Sequence, residues 1–291
     1  MCDAVGECGR IAVVCIAKDE DYYLYEWLDY HFRLGFDDAY VYMNDWRYAG
    51  RLPDVLGHSA VFVDWPGKAQ QLPAYRDFMA RFSPKYDWAA FIDVDEYLAN
   101  NTDCSLQALL AQHACVPQLS VNWRIMGDSG LVSFDPAFSS VALRFTMGGR
   151  RLNQHVKQLV NLALFRAESR SLPVFGSPHC TTAVSYCFDG TPVYGPFNTH
   201  GCDDVQPLEL YHYRVKTEQE FMAIRIPRGR ADLARPYAAG CDLDNFAPLD
   251  GVSDYGRAVY NINEAEFTTV RDFYIGAGGG SISQEGDVRG R

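Results

Sequence analysis

Four short apolar segments in the first third of the chain limit its fold more than any other feature. Each is predicted to be a buried β-strand, and they are Ile11–Ala17 and residues 39–43, 60–65 and 88–92. Helical periodicity fills residues 21–34 and 70–82, where apolar side chains recur three or four positions apart. Strands and helices that alternate in this way predict a doubly wound α/β sheet.

Polar residues follow three of these strands directly. They are Lys18, Asp19 and Glu20 after the first strand, Asn44 and Asp45 after the second, and Asp93, Asp95 and Glu96 after the fourth. In an open α/β sheet, ligands bind outside the carboxyl ends of the strands. We therefore expect these three loops to form a nucleotide site at one edge of the sheet.

The last of these loops carries three carboxylates within the segment Asp93-Val94-Asp95-Glu96. Like charges this close repel each other and are costly to desolvate, so we expect a cation beside them. At a strand end, Asp93 and Asp95 would share one face. Oxygen ligands of this kind suit Mg²⁺ or Mn²⁺, ions that proteins usually share with substrate phosphates. The segment predicts a metal-assisted site for a phosphorylated substrate.

Charge and composition narrow the class of protein. The formal net charge of −11 argues against a nucleic-acid partner, which would require a basic face. Residues 1–10 lack the apolar core of a signal peptide, and no apolar stretch approaches the roughly 20 residues of a transmembrane helix. The nine cysteines include no Cys-x-x-Cys pair, so we expect reduced thiols and no zinc site. A cytoplasmic location follows, with peripheral membrane association left open.

The second half of the chain is less regular. Strands are predicted at residues 119–123, 141–145, 155–165 and 208–211, and a helix at 217–230. We expect residues 11–275 to form one domain, with a nucleotide-binding half (11–100) and an acceptor half (101–275) that adds strands to a mixed, mostly parallel sheet. Residues 1–10 precede this domain, 238–254 read as a long loop in an irregular C-terminal extension, and 276–291 as a flexible tail.

Six segments carry motifs that occur together, in this order, in one enzyme family. They are residues 18–20, 25–36, 40–45, 93–97, 121–130 and 212–221, with Lys157, His179 and Arg228 in the expected order. These motifs resemble glycosyltransferase family 92 and the related family 2-like (DUF23-like) glycosyltransferases. The resemblance runs from about residue 11 to about residue 230. It implies a GT-A fold, a metal that bridges a donor diphosphate, and transfer of a sugar to an acceptor hydroxyl.

The resemblance also implies roles for individual residues. Asp95 is the expected direct metal ligand, with Asp93 on the ribose or a metal-bound water, and His212, or alternatively His179, as a further ligand. The nucleoside would be held by Lys18, Asp19, Glu20, Asn44 and Asp45, and the diphosphate charge would be neutralised by Lys157, Lys216 and Arg228. Turns, helix caps and ordinary surface charges are the structural alternatives for these residues.

An inverting transfer needs a carboxylate as general base. Asp128 is preferred because its Gly-Asp-Ser-Gly turn allows substrate to approach the backbone closely, and Glu96 is the alternative. The resulting prediction is a metal-dependent, inverting glycosyltransferase that uses a UDP-sugar to build a polysaccharide or other glycan. A nucleotide- or glycan-binding module without activity is one alternative. A glycoside hydrolase is another, although Asp93 and Asp95 are too close together to flank a glycosidic bond.

Overall fold

The computed structural model describes residues 8–44, 59–134 and 140–225, and a strand at Phe267–Thr269. The strands are β1 (Ile11–Ala17), β2 (Asp38–Met43), β3 (Ser59–Asp64), β4 (Trp88–Phe91), β5 (Glu96–Asn100), β6 (Gln118–Ile125), β7 (Met147–Gly149), β8 (Asn153–Asn161), β9 (Phe175–Ser177), β10 (Cys180–Thr181), β11 (Ser185–Tyr186), β12 (Pro192–Val193), β13 (Leu208–His212) and β14 (Phe267–Thr269). The helices are α1 (Asp21–Leu34), α2 (Gln71–Arg81), α3 (Leu106–Gln112), α4 (Val141–Arg144), α5 (Leu162–Ala167) and α6 (Glu218–Glu220), with a 3₁₀ turn at Ser83–Lys85 and a π-helical turn at Phe221–Arg225.

One mixed sheet of ten strands organises the fold. Strands β3, β2, β1 and β4 lie side by side and parallel. Strand β8 runs antiparallel between β4 and β6, while β13 and β11 lie parallel to β6 and β5 pairs antiparallel with β13. As a result, the carboxyl ends of β1, β2, β4, β6 and β13 and the amino end of β8 meet at one edge, which we call the carboxyl edge.

Helices cover both faces of this sheet, as in a doubly wound fold. Val13 and Cys15 of β1 belong to the core cluster that includes α1, whereas Ala12 and Val14 belong to the cluster that includes α2. This split follows from the two-residue period of a strand that is buried on both faces. Two hydrogen bonds fix α1 against β5: Trp27 Nε1 donates to the Glu96 carbonyl (2.8 Å) and Tyr30 Oη to the Leu98 carbonyl (2.7 Å).

The predicted strands and helices of the first hundred residues are confirmed, with boundaries that differ by a residue or two. The predicted strand at 141–145 is wrong, because this segment forms α4. There the Glu26 carboxylate accepts a hydrogen bond from the Val141 amide (2.7 Å), and Ser140 Oγ accepts one from the Leu143 amide (3.3 Å). These acceptors satisfy amides of the first helical turn and so favour a helix.

The predicted strand at 155–165 is correct only in its first part. Strand β8 ends at Asn161, whose side chain accepts a hydrogen bond from the Leu164 amide (2.9 Å) and caps α5. The predicted helix at 217–230 begins at Glu218, and its continuation beyond residue 225 lies outside the described residues. The predicted loop at 238–254 and the tail at 276–291 also lie outside them.

Two expectations from composition concern the cysteines and the membrane. Cys115 is disulfide-bonded, so the expectation of reduced thiols is wrong at this position, although the six other described cysteines are free. Within the described parts of the chain, no helix has the length and apolar character required to cross a membrane.

Candidate active site

The three carboxylates of the Asp93–Glu96 segment lie at the carboxyl edge, where β4 passes into β5. From the sequence, Asp93 and Asp95 are predicted to share one face at the end of a strand. In the structure they lie instead in the connection between β4 and β5. Their side chains consequently have different neighbours. The Asp93 side chain is 31% exposed and contacts β8, whereas Asp95 is 4% exposed and faces β13.

Asp93 belongs to a buried ionic cluster with Lys157 and Glu96. Its Oδ2 accepts a hydrogen bond from Lys157 Nζ (2.9 Å), and its Oδ1 accepts one from Gln71 Nε2 (2.6 Å). Glu96 Oε2 lies 3.5 Å from the same ammonium group and accepts a hydrogen bond from the Asp93 amide (2.7 Å). Lys157 and Glu96 are both fully buried, so the lysine supplies positive charge inside the protein for two of the three carboxylates.

The pKa values follow from this burial and from the charges. Burial alone would lower the pKa of Lys157, but Asp93 and Glu96 outweigh it and raise that pKa above its ordinary value. Burial raises the pKa of Glu96 well above its usual range, and Lys157 opposes that rise. Among the described residues, Glu96 Oε1 has no hydrogen-bond partner. Lys157 therefore stays positively charged, and its charge opposes the protonation of Glu96 that burial favours.

Asp95 and His212 form the second part of the site. His212 Nε2 lies 3.6 Å from Asp95 Oδ1, and both side chains are 4% exposed. Strand pairing causes this approach: His212 lies opposite Glu96 in the β5–β13 register, and the Tyr213 amide donates to the Asp95 carbonyl (2.8 Å). Asp95 and His212 lie far apart in the sequence, so the sequence alone does not show that they are close in space.

The Asp95–His212 pair fits a divalent cation. Ligand atoms lie about 2.1 Å from Mg²⁺, so two atoms 3.6 Å apart can both reach one ion. Asp93 is less suited to direct ligation, because Lys157 and Gln71 already donate to its oxygens. No cluster of three or more His, Cys, Asp or Glu side chains in the described parts of the chain could hold a metal. An ion here would take its remaining ligands from water or from a phosphorylated substrate.

An aromatic cluster surrounds this pair. The Trp123 ring lies 4.2 Å from His212, 5.0 Å from His179 and 4.8 Å from His155, measured between ring centroids. His179 Nδ1 donates to the Val156 carbonyl (3.0 Å), and burial, aided by the charge of Lys157, lowers the pKa of His179 to about 3. From the sequence, Trp123 lies in the motif at residues 121–130 but has no predicted role in the site, and His155 is not a predicted site residue. Only the β6–β8 register brings the two rings together.

The residues after β1 lie next to the end of β13. Lys216 Nζ lies 3.3 Å from Glu20 Oε2 and 4.3 Å from the centroid of the Tyr23 ring. Asp19 and Lys216 both adopt left-handed backbone conformations, with φ values of 54° and 56°. Glu20, Tyr23, Arg214 and Lys216 are among the residues that line a small cleft. This cleft therefore carries two cationic side chains, Arg214 and Lys216, together with two carboxylates, Glu20 and Glu220.

Two more predicted site residues have local structural roles, and two lie outside the described residues. Asn44 Nδ2 donates to the carbonyls of Trp65 (2.8 Å) and Gly67 (2.9 Å) and so orders the loop after β3. Asp128 lies three residues beyond β6, is half-buried, and accepts a hydrogen bond from the Gly130 amide (2.9 Å). The half-buried Lys18 directly follows β1. Asp45 and Arg228 fall in parts of the chain that are not described.

Comparisons with protein-family models and with curated protein sequences found no match for the chain. The resemblance to glycosyltransferase family 92 therefore stays a prediction that rests on the motifs.

Proposed function

We propose that the protein is a metal-dependent glycosyltransferase that transfers a sugar from a nucleoside diphosphate donor, UDP-linked, to a hydroxyl of a glycan acceptor. The Asp95–His212 pair carries the proposal, because it places an oxygen and a nitrogen ligand 3.6 Å apart at the carboxyl edge of an α/β sheet. Two protein ligands suit an ion that is shared with a diphosphate. We propose Mn²⁺ or Mg²⁺ as that ion and a GT-A fold for the domain.

The neighbouring residues can be assigned to parts of this reaction. When bound, the ion would act as a Lewis acid that stabilises the charge of the departing diphosphate. Lys216 and Arg214, which line the cleft beside Glu20, would bind anionic oxygens of the donor. Lys157 is fully buried against Asp93, so it would hold that carboxylate in place for the ribose rather than contact the donor.

Asp128 remains our choice for the base that accepts the proton of the attacking hydroxyl. It is half-buried in a turn at the carboxyl edge, where its hydrogen bond from the Gly130 amide fixes one oxygen. Glu96 is less suitable, because it is fully buried and engaged with Lys157 and the Asp93 amide. A base must reach the hydroxyl from which it takes the proton.

The proposal can be tested by thermal unfolding with UDP, with and without Mn²⁺. A ligand at about 100 times its dissociation constant adds about 2.7 kcal/mol and raises the Tm by several degrees. We expect this shift to require both UDP and Mn²⁺, to disappear in Asp95→Asn, and to persist in the exposed control Asp103→Asn. No response to any nucleoside diphosphate would refute the proposal.

Activity is a separate question from binding. Incubation with a set of UDP-sugars and glycan acceptors should release UDP in a reaction that depends on Mn²⁺ and on Asp95. Manganese-dependent UDP binding without any release would assign the chain instead to nucleotide-binding modules without activity.

A further inference from the structure

A loop at the carboxyl edge presents aromatic side chains to solvent. Tyr194 is 74% exposed and Phe197 is 48% exposed, and the loop that carries them follows β12. Exposed apolar side chains beside a site are typical of binding surfaces, whereas single exposed side chains elsewhere need no explanation.

Hydrogen bonds to β8 hold this loop in place. Phe197 forms a β-bridge with His155, the Val156 amide donates to the Pro196 carbonyl (3.3 Å), and the Asn198 amide donates to the Gln154 carbonyl (2.7 Å). The loop thus extends the amino end of β8, which lies at the carboxyl edge. A ring whose backbone is already ordered loses little further conformational entropy when it binds a ligand.

Stacked rings connect Phe197 to the candidate metal ligands. The Phe197 ring packs edge-on against His155, with centroids 4.8 Å apart, and His155 stacks on Trp123 at 4.8 Å and an interplanar angle of 17°. Trp123 contacts His212, which lies 3.6 Å from Asp95 Oδ1. We call Phe197, His155, Trp123 and His212 the ring ladder. It leads without interruption from solvent to the place where we propose that sugar is transferred.

We propose that the ring ladder is the acceptor subsite, in which a neutral sugar ring of the acceptor glycan stacks on Phe197. This inference rests on the proposed function and adds the binding mode of the acceptor. A pyranose has an apolar face of C–H groups and a rim of hydroxyls, so it fits an exposed ring beside polar loops. The net charge of −11 favours a neutral glycan over an anionic one.

A buried donor within the ladder supports this assignment. The Nε1 atom of Trp123 is buried and has no hydrogen-bond partner among the described residues. Buried donors are nearly always paired in native proteins, and an unpaired donor calls for an explanation. A hydroxyl of a sugar bound along the ladder would supply the missing acceptor.

Glycan binding by three purified proteins tests the proposal: wild type, Phe197→Ala and Tyr25→Ala. The probes are an immobilised set of neutral α- and β-linked glucose, galactose and mannose oligosaccharides. Tyr25 is a matched control, because it is 45% exposed on α1 and is not part of the ladder. We expect Phe197→Ala to weaken glycan binding at least about tenfold, which equals about 1.4 kcal/mol, and Tyr25→Ala to change it less than twofold.

The remaining outcomes separate this proposal from the proposed function. Wild-type protein that binds no glycan, or a Phe197→Ala protein that binds as well as wild type, would overturn the acceptor subsite. A Phe197→Ala protein that loses UDP binding but keeps glycan binding would also overturn it, because the ring would then hold the nucleobase. Glycan binding that depends on Phe197 in a protein that never binds UDP would support the subsite and refute the transferase.

Discussion

Lys157→Met removes the buried ammonium group that lies between two carboxylates. In the wild type, Lys157 Nζ lies 2.9 Å from Asp93 Oδ2 and 3.5 Å from Glu96 Oε2. At an effective dielectric constant of about 20, these contacts correspond to roughly 6 and roughly 5 kcal/mol of gross attraction. Most of that attraction offsets the desolvation of the fully buried lysine, so the gross values overstate the net effect.

The net effect depends on what the substitution leaves behind. Methionine fills much of the lysine volume, but Glu96 would remain as a fully buried carboxylate without its cation. Removal of one partner from a buried ion pair costs about 3–5 kcal/mol. The Asp93 side chain is 31% exposed, so water compensates part of the loss at that carboxylate. We therefore expect the free energy of unfolding to fall by about 3 kcal/mol.

Urea denaturation followed by circular dichroism measures this change. The control Lys68→Met removes an exposed lysine and should change stability by less than about 0.5 kcal/mol. In a Glu96→Gln background no buried charge is stranded at position 96, so Lys157→Met should cost about 2 kcal/mol less there. A loss below about 1 kcal/mol in the wild-type background, together with no coupling to Glu96, would refute the idea that Lys157 neutralises this cluster.

Three further predictions concern stability. Burial lowers the pKa of His31 to about 3 in the folded protein, whereas its pKa in the unfolded chain is about 6.5. The contribution of His31 to the free energy of unfolding is therefore fully present above pH 6.5 and is lost as the pH falls towards 3. Between pH 6.5 and pH 4.5, urea denaturation should show a loss of up to about 3 kcal/mol in the free energy of unfolding, and this loss should be smaller in His31→Gln. Equal losses in the two proteins would refute this. Gly35→Ala should cost about 1–2 kcal/mol in urea, because φ is 119° and the new Cβ would lie 3.0 Å from the Gln107 amide, whereas Gly176→Ala meets open space and should be nearly neutral. Arg124→Met should cost about 3–5 kcal/mol in urea because it strands the buried Glu209, 2.6 Å away, and the double variant with Glu209→Met should recover most of that loss.

The strands and helices of the first half could be predicted from patterns of apolar residues, because those patterns lie within each segment. The apolar run of β1 and the helical periodicity of α1 are properties of consecutive residues, and both elements were confirmed. The segment at 141–145 was different, because its helix depends on Glu26, which lies 115 residues away in sequence. A capping contact between residues so far apart produces no periodic pattern in the sequence around the helix.

The same distinction between local and long-range determinants applies to the candidate site. Its location at the carboxyl edge could be predicted from the polar residues that follow β1, β2 and β4. The neighbours of each side chain could not, because they depend on strand register. Lys157 reaches Asp93, and Trp123 reaches His155, because β8 runs antiparallel between β4 and β6.

The same topology separates the two aspartates of the Asp-x-Asp motif. Because the chain turns between β4 and β5, Asp93 lies beside β8 and its buried lysine, while Asp95 lies beside β13 and His212. A carboxylate whose oxygens already accept hydrogen bonds from Lys157 and Gln71 would lose those bonds on binding a metal directly. Asp95 Oδ1 lies 3.6 Å from the imidazole of His212, a group that can itself ligate metal. The ionic cluster therefore stabilises the turn, and the Asp95–His212 pair is the part of the motif suited to bind an ion.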